Sequence, residues 1–385
     1  MRNVGLILLC FFTCVLALTA QERKRRPREA ISKEPVKETT TDVSSKRTQQ
    51  DQQIAAQFAP VVYQGLGENA RADFITNFDF DGDWRGDNNW GNLANRQYAL
   101  RGYVYYSVCE TPTHYFVHYA FFHPRDYKGD IYSSTLLDSV LRQTIPQLGK
   151  DRSVEKINDV ALSHENDLEG CLVVAAKRGN DLAQAQVQYV EAMAHNAFLK
   201  YYAAGTTSTV GDLIELDGLH PRLFIEPKGH GVVRYTGDNT QLNQHVKSVL
   251  VYRFTGKAEE PSAQATTAEY DLVALYDTLW QRAQQGANET FGETLDYQTR
   301  VVQRFASDNP TAKVEQTFNQ LGSAFLGKVG FKNKARPPWA WYDEAERERP
   351  RGEWFFDPAA VIGRHFKMGQ EWSGFYSYHR YFNIQ

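Results

Sequence analysis

The sequence predicts an α+β protein: a β-sandwich core with helices packed on the outside and one long helical insertion between core strands. Three observations predict it. Short runs of β-branched and aromatic residues with period-two alternation fill the first two-thirds of the chain. Of 385 residues, 21 are Tyr, 22 Phe and 7 Trp, an aromatic content that disordered and coiled-coil chains do not carry. Between residues 53 and 385 there is neither a linker-like shift in composition nor an internal repeat, so a single β-rich domain is the economical arrangement.

The N-terminus comes first. Met1-Arg2-Asn3 is a short basic start, Val4 to Leu18 is apolar, and Ala20 precedes the polar Gln21. These are the three regions of a secretory signal peptide spanning residues 1–20, and they direct the chain to a secreted, periplasmic or extracellular location. Residues 21–52 are rich in charged and polar side chains and are broken by Pro27 and Pro35, which reads as a disordered charged tether. Mean hydropathy is −0.53, and no later apolar run reaches the roughly 18–20 residues of a membrane-spanning helix.

Charge is distributed unevenly. The chain has 43 Lys+Arg against 46 Asp+Glu; residues 21–50 account for a net +4 and residues 51–385 for a net −8. An acidic body does not grip a phosphate backbone, which excludes nucleic acid as a partner. After signal removal Cys109 and Cys171 remain; an oxidising compartment allows one disulfide, and two buried free thiols are the equal alternative.

Within the body, strands are expected at Leu100–Val108, His114–Phe122, Gly170–Ala176, Gln186–Ala192, Arg222–Ile225, Val232–Tyr235 and Ser248–Phe254. Between the second and third, Leu136, Leu137, Val140, Leu141 and Ile145 fall at helical spacing, so Ser134–Ile145 reads as the inserted helix, with Pro146 as its stop. Thr267–Gln285 reads as a second helix ended by Gly286, and the remaining chain is aromatic and irregular.

The densest set of metal-capable side chains is Ser163-His164-Glu165-Asn166-Asp167-Leu168-Glu169, running into the strand at Gly170. At a loop-to-strand junction, alternation places Asp167 and Glu169 on one face, and His164 reaches round from the loop. One imidazole and two carboxylates repel unless a cation or proton neutralises them. Oxygen-rich ligation favours Mg, Ca or Mn over structural zinc. A hydrogen-bonded loop is the bland alternative. Earlier in the chain, a strand ends in His123-Pro124-Arg125-Asp126, placing another carboxylate just past a strand end.

Together these segments resemble the necrosis-inducing family of secreted cytolysins, the Nep-like proteins. There, a strand reading like Y-S-W-Y-F-P-K-D precedes the heptapeptide G-H-R-H-D-W-E. Tyr119 to Asp126 looks like the first element and Ser163 to Glu169 like the second. The resemblance implies that Asp126, His164, Asp167 and Glu169 surround a divalent cation at one end of a β-sandwich, beside an acidic cavity for a glycan or glycolipid head group. Ser163, Asn166 and Leu168 stand where the family has glycine, histidine and tryptophan, and Tyr127–Leu162 puts 36 residues between the elements. The resemblance therefore extends to the metal set and not to the contacts of lysis. Leu219 to Gly231 more loosely resembles a stretch of a family named after a vacuolar-sorting protein, which also carries a D-W-E motif.

Two other functions are compatible with the same residues. In a metal-dependent extracellular hydrolase the cation activates water and Glu165, Glu226 or His230 handles the proton; a turn histidine bonded to backbone is the plainer account of His230. In a structural envelope protein the acidic clusters serve the fold alone. A second candidate cation site is Asp79, Asp81 and Asp83 with Gly82, for which turn-capping carboxylates are the alternative. No phosphate-cradling glycine loop, G-x-S-x-G elbow or H-E-x-x-H helix occurs.

Overall fold

The computed structural model describes residues 38–127, 163–179, 181–237, 245–262, 264–306, 312–369 and 372–385. The predicted signal peptide, most of the tether and the predicted helix Ser134–Ile145 lie outside the described residues. The chain separates into two compact units, Met1–Ser45 and Lys46–Gln385.

The described helices are α1 Glu38–Gln57, α2 Asn89–Asn92, α3 Leu279–Ala283, α4 Glu353–Phe356 and α5 Pro358–His365. The strands are β1 Val61–Leu66, β2 Gly102–Glu110, β3 His114–Asp126, β4 His164–Ala176, β5 Gln186–Ala194, β6 Ala197–Tyr202, β7 Asp212–Leu213, β8 Leu216–Asp217, β9 His220–Ile225, β10 Val232–Arg234, β11 Ser248–Phe254 and β12 Thr267–Ala274. They continue with β13 Phe291–Leu295, β14 Arg300–Arg304, β15 Lys313–Gln316, β16 Leu321–Phe325, β17 Phe375–Tyr376 and β18 Tyr378–His379.

Mostly β with a few helices, the body is built on one 13-stranded sheet in the order β10-β9-β1-β11-β12-β2-β3-β4-β5-β6-β7, with β8 on β9 and β18 on β2. β2 to β6 form an antiparallel meander, whereas β1–β9, β11–β12 and β12–β2 are parallel pairs. The sheet curls far enough for β10 to pack against β4 and β5. Strand pairing thus gives one large curled sheet in place of the two stacked sheets expected. Two small sheets, β13–β16 and β15–β14–β17, complete the described architecture.

Every residue of β3 and β4 is buried, as befits central strands covered on both faces. Both run further than their apolar cores suggested: β3 continues through His123 to Asp126 and β4 begins at His164. The motif residues are therefore on paired strands, not in a loop, because the ladder from His123↔Asp167 to Asp126↔His164 satisfies their backbone groups.

Two local expectations fail for identifiable reasons. Thr267–Gln285 is not one helix: Thr267–Ala274 is the strand β12, and only Leu279–Ala283 is helical. Ala268, Tyr270 and Leu272 alternate into the core, and pairing to β11 and β2 on both sides overrides the helical spacing. Residues 38–52, expected in the tether, are helical. Asp51, Ile54, Ala55 and Phe58 are buried at i, i+3, i+4 and i+7, a core-facing stripe masked by its acidic first member. Asp51 takes a hydrogen bond from the Tyr378 hydroxyl at 2.7 Å and pairs with Arg47 at 2.6 Å.

The aromatic C-terminal third packs as a cluster against the sheet. Trp280 is 1% exposed, and its ring centroid lies 5.1 Å from Trp339 and 4.7 Å from Tyr381, both edge-on. Trp354 sits edge-on to His118 of β3 at 5.3 Å. Cys109 and Cys171 are buried free thiols, and burial raises the pKa of both, which makes them inert core residues.

Candidate functional site

The site is built at the end of the β3–β4 ladder. Three positions separate His164 from Asp167, so strict alternation would put them on opposite faces. Asn166 between them has a φ of 62°; this left-handed step resets the phase. It is held there by its side chain, whose Nδ2 donates to the carbonyls of Gly86 at 2.9 Å and Leu326 at 3.0 Å, while Asn89 Nδ2 donates to its Oδ1 at 2.7 Å. Asp126, His164, Asp167 and Glu169 consequently line one cavity of about 50 Å³, together with His195, Asn196, Lys334, Arg336 and Trp341.

His164 Nε2 lies 3.4 Å from Asp126 Oδ2, and its Nδ1 lies 2.7 Å from the Asn166 carbonyl oxygen. A carbonyl only accepts, so Nδ1 carries a proton, and Nε2 faces the Asp126 carboxylate. The backbone carbonyl on Nδ1 fixes the orientation of the ring. Among the described residues, no group of three or more His, Cys, Asp or Glu is placed so that it could hold a metal ion.

Asp167 and Glu169 share a face but not an environment. Asp167 Oδ2 pairs with His230 Nδ1 at 2.9 Å, and His230 Nε2 faces Asp73 Oδ1 at 3.4 Å. Burial works against a charged His230, but the hydrogen bonds and charges of Asp167 and Asp73 prevail and push its pKa up to about 9. Its ring stacks on His123 at 3.7 Å, 3° from parallel; burial and the neighbouring imidazolium drive His123 well below the usual range, so it stays neutral. Glu169 Oε1 accepts from the His195 backbone N–H at 3.3 Å, whereas the buried Oε2 has no hydrogen-bond partner among the described residues. Burial, opposed by His195 and reinforced by Asp167, raises Glu169 to about 8.

Of the three proton-transfer candidates, Glu165 is a structural clamp: Oε1 accepts from Trp90 N at 2.8 Å, and Oε2 from Lys328 N at 2.9 Å and Val329 N at 3.2 Å. His230 is fully buried between two aspartates, not the turn histidine bonded to backbone. Glu226 pairs with His195, Oε2 to Nε2 at 2.8 Å, at a partly exposed position. The Asp79–Asp83 loop spends its oxygens on turns: Asp79 accepts from Asn77 Nδ2 at 2.7 Å, Asp81 from Asp83 N at 3.2 Å, and Asp83 from Arg85 N at 2.7 Å and Asn88 Nδ2 at 3.0 Å.

His195, Asn196, Asp73 and Arg336 were not anticipated as site residues. His195 and Asn196 have φ values of 55° and 61° and form the two-residue turn between β5 and β6. A His-Asn pair between two alternating runs is a hairpin signal of the type that needs positive φ at both positions. For Asp73 and Arg336 no local signal exists; only the tertiary fold brings them in.

No protein-family model matches the chain, and no curated protein matches it. Among solved structures it is similar to one described as a toxin fold for microbial attack and plant defense, at 15% identity over 48% of this chain and 67% of that chain, with a TM-score of 0.25. It is also similar to NLPPya in complex with mannosamine, at 14% identity over 48% of this chain and 67% of that chain, TM-score 0.26. A third is the non-toxic HaNLP3 protein, at 14% identity over 61% of this chain and 80% of that chain, TM-score 0.28. The likeness to Nep-like structures is distant, and at such TM-scores only the side-chain geometry bears on function.

Proposed function

We propose that the protein is secreted and binds a glycan or glycolipid head group through a divalent cation, Mg, Ca or Mn, held by Asp126, His164, Asp167 and Glu169. The observation that carries the reading is the convergence of these four on one small cavity, with the Glu169 Oε2 buried and without a hydrogen-bond partner there among the described residues. At about 50 Å³ the cavity has room for an ion and roughly a few waters, not for a sugar ring. A sugar would therefore sit at the mouth, where His195, Asn196 and Arg336 are partly exposed. A bound cation would neutralise the carboxylates and offer open coordination positions to sugar hydroxyls.

Glu169→Gln tests this with little risk to folding. Gln keeps the acceptor for the His195 N–H and matches in shape a carboxyl that burial already holds largely protonated at neutral pH, so thermal stability is expected to be unchanged or higher. Ca and Mg affinity by isothermal titration is expected to fall at least ~10-fold, since even a residue behind a ligand costs that much. Equal affinity in wild type and variant would sink the assignment.

Cation-assisted hydrolysis has one observation in its favour, the pairing of Glu226 with His195, which lines the cavity. Product release from a panel of glycans and phosphoesters, abolished by chelator and by Glu226→Gln, would select it over binding alone.

A further inference from the structure

The other end of the same ladder carries a second cavity of different chemistry. β3 starts at His114 and β4 ends at Ala176, and thirteen residues at ~3.3 Å each set the two ends up to about 40 Å apart. The cavity measures about 720 Å³, within the range of small-molecule sites. Its described lining includes Lys177, Arg178 and Lys367 and no carboxylate, on a body whose net charge is −8.

Lys177 is committed to Glu110, 2.7 Å away. Arg178 and Lys367 are exposed and make no ion pair among the described residues. Lys367 has a φ of 53°, a left-handed position where glycine is the unstrained choice; a lysine there keeps an ammonium at the rim against a backbone preference. One wall is Trp372, whose Nε1 donates to the Ala359 carbonyl at 3.1 Å and whose ring lies 4.5 Å from His114 and 5.5 Å from Phe116, so it is fixed yet half-exposed. His114 is held down to about 4, by burial first and with the nearby charges of Lys177 and Arg178 contributing, so it is neutral. Its Nε2 bonds Gln188 Oε1 at 3.0 Å, which turns the Gln188 NH₂ away as a donor for a ligand.

We propose that this cavity binds an acidic sugar, a pyranose ring carrying a carboxylate. Arg178 and Lys367 meet the carboxylate, Trp372 lies against the ring face, and Gln188 and Thr207 reach its hydroxyls. The inference does not rest on the cation site. It is tested by titrating the full chain with glucuronic acid, glucose and inorganic phosphate by calorimetry. Glucuronate is expected to bind at least tenfold tighter than glucose, more weakly as salt rises, and to lose at least tenfold in Arg178→Glu/Lys367→Gly. That variant alters an exposed side chain and relieves a strained backbone, so its melting temperature should match wild type. Glu169→Gln should bind glucuronate normally even where its cation affinity is lost. No glucuronate binding, equal binding of glucose, phosphate binding as tightly as glucuronate, or unchanged affinity in the double variant would each overturn the proposal.

Discussion

Asp167→Ala is expected to lower stability by about 3–5 kcal/mol, the cost of removing one partner from a buried ion pair. His230 is 0% exposed and is held as an imidazolium by Asp167 at 2.9 Å and Asp73 at 3.4 Å. Asp73 cannot make up the loss, because its oxygens already accept from Lys228 N at 2.8 Å, Gly67 N at 2.7 Å and the Tyr127 hydroxyl at 3.3 Å. His123, stacked on the same ring, is neutral and offers no negative charge. Asp167→Asn keeps an acceptor for His230 Nδ1 and should cost clearly less, while still removing a proposed cation ligand. Urea titration of the three proteins reads the difference; an alanine variant as stable as wild type would show that the pair contributes nothing net to the fold. Comparison with Glu169→Gln then separates stability from cation binding, since that change removes a ligand without unpairing anything.

What was legible in the sequence follows from how local each signal was. Asp126, His164, Asp167 and Glu169 belong to two short segments that pair directly, Asp126↔His164 in register, so their meeting needed only one correct strand pairing. The phase was illegible: a left-handed Asn166, held by Gly86 and Leu326 from distant segments, turns a loop-to-strand guess into a continuous strand with both residues on one cavity. His230, Asp73 and His195 reach the site from separate parts of the chain, each outside a strand, and a linear reading had no means of joining them. The strands Gln186–Ala194 and Ser248–Phe254 were read nearly as found because alternation and β-branching agreed. β12 was misread because Leu272, Val273, Leu275, Tyr276 and Leu279 also fit a helical period, and only its two parallel neighbours decide the matter.

Glu191→Ala is the second large effect, expected at about 3–5 kcal/mol for the same reason in a different place. Glu191 lies in β5 with 0% exposure; Oε2 accepts from Trp354 Nε1 at 2.8 Å and Oε1 pairs with His365 Nδ1 at 2.5 Å. His365 Nε2 meets Glu346 Oε1 at 3.1 Å, and Glu346 also takes Arg364 at 2.8 Å. The carboxylate therefore ties the sheet to α5 and α4 through one charged chain, and His365 sits in the last turn of α5, where the helix end also favours a cation. Burial opposes that charge, but Glu191 and Glu346 raise the His365 pKa above its ordinary value. A raised pKa means the contribution is complete below about pH 6.5, the unfolded value, and is lost as pH rises through the folded one. The stability gap between wild type and Glu191→Ala should accordingly narrow as pH climbs from 6 toward 9. Glu191→Leu combined with His365→Phe removes both charges and should recover most of the loss. It should not recover all of it, because Trp354 Nε1 is then a buried donor without an acceptor, costing about 1–3 kcal/mol. If the double variant were no more stable than Glu191→Ala, the cost would lie in lost packing and not in an unpaired buried charge.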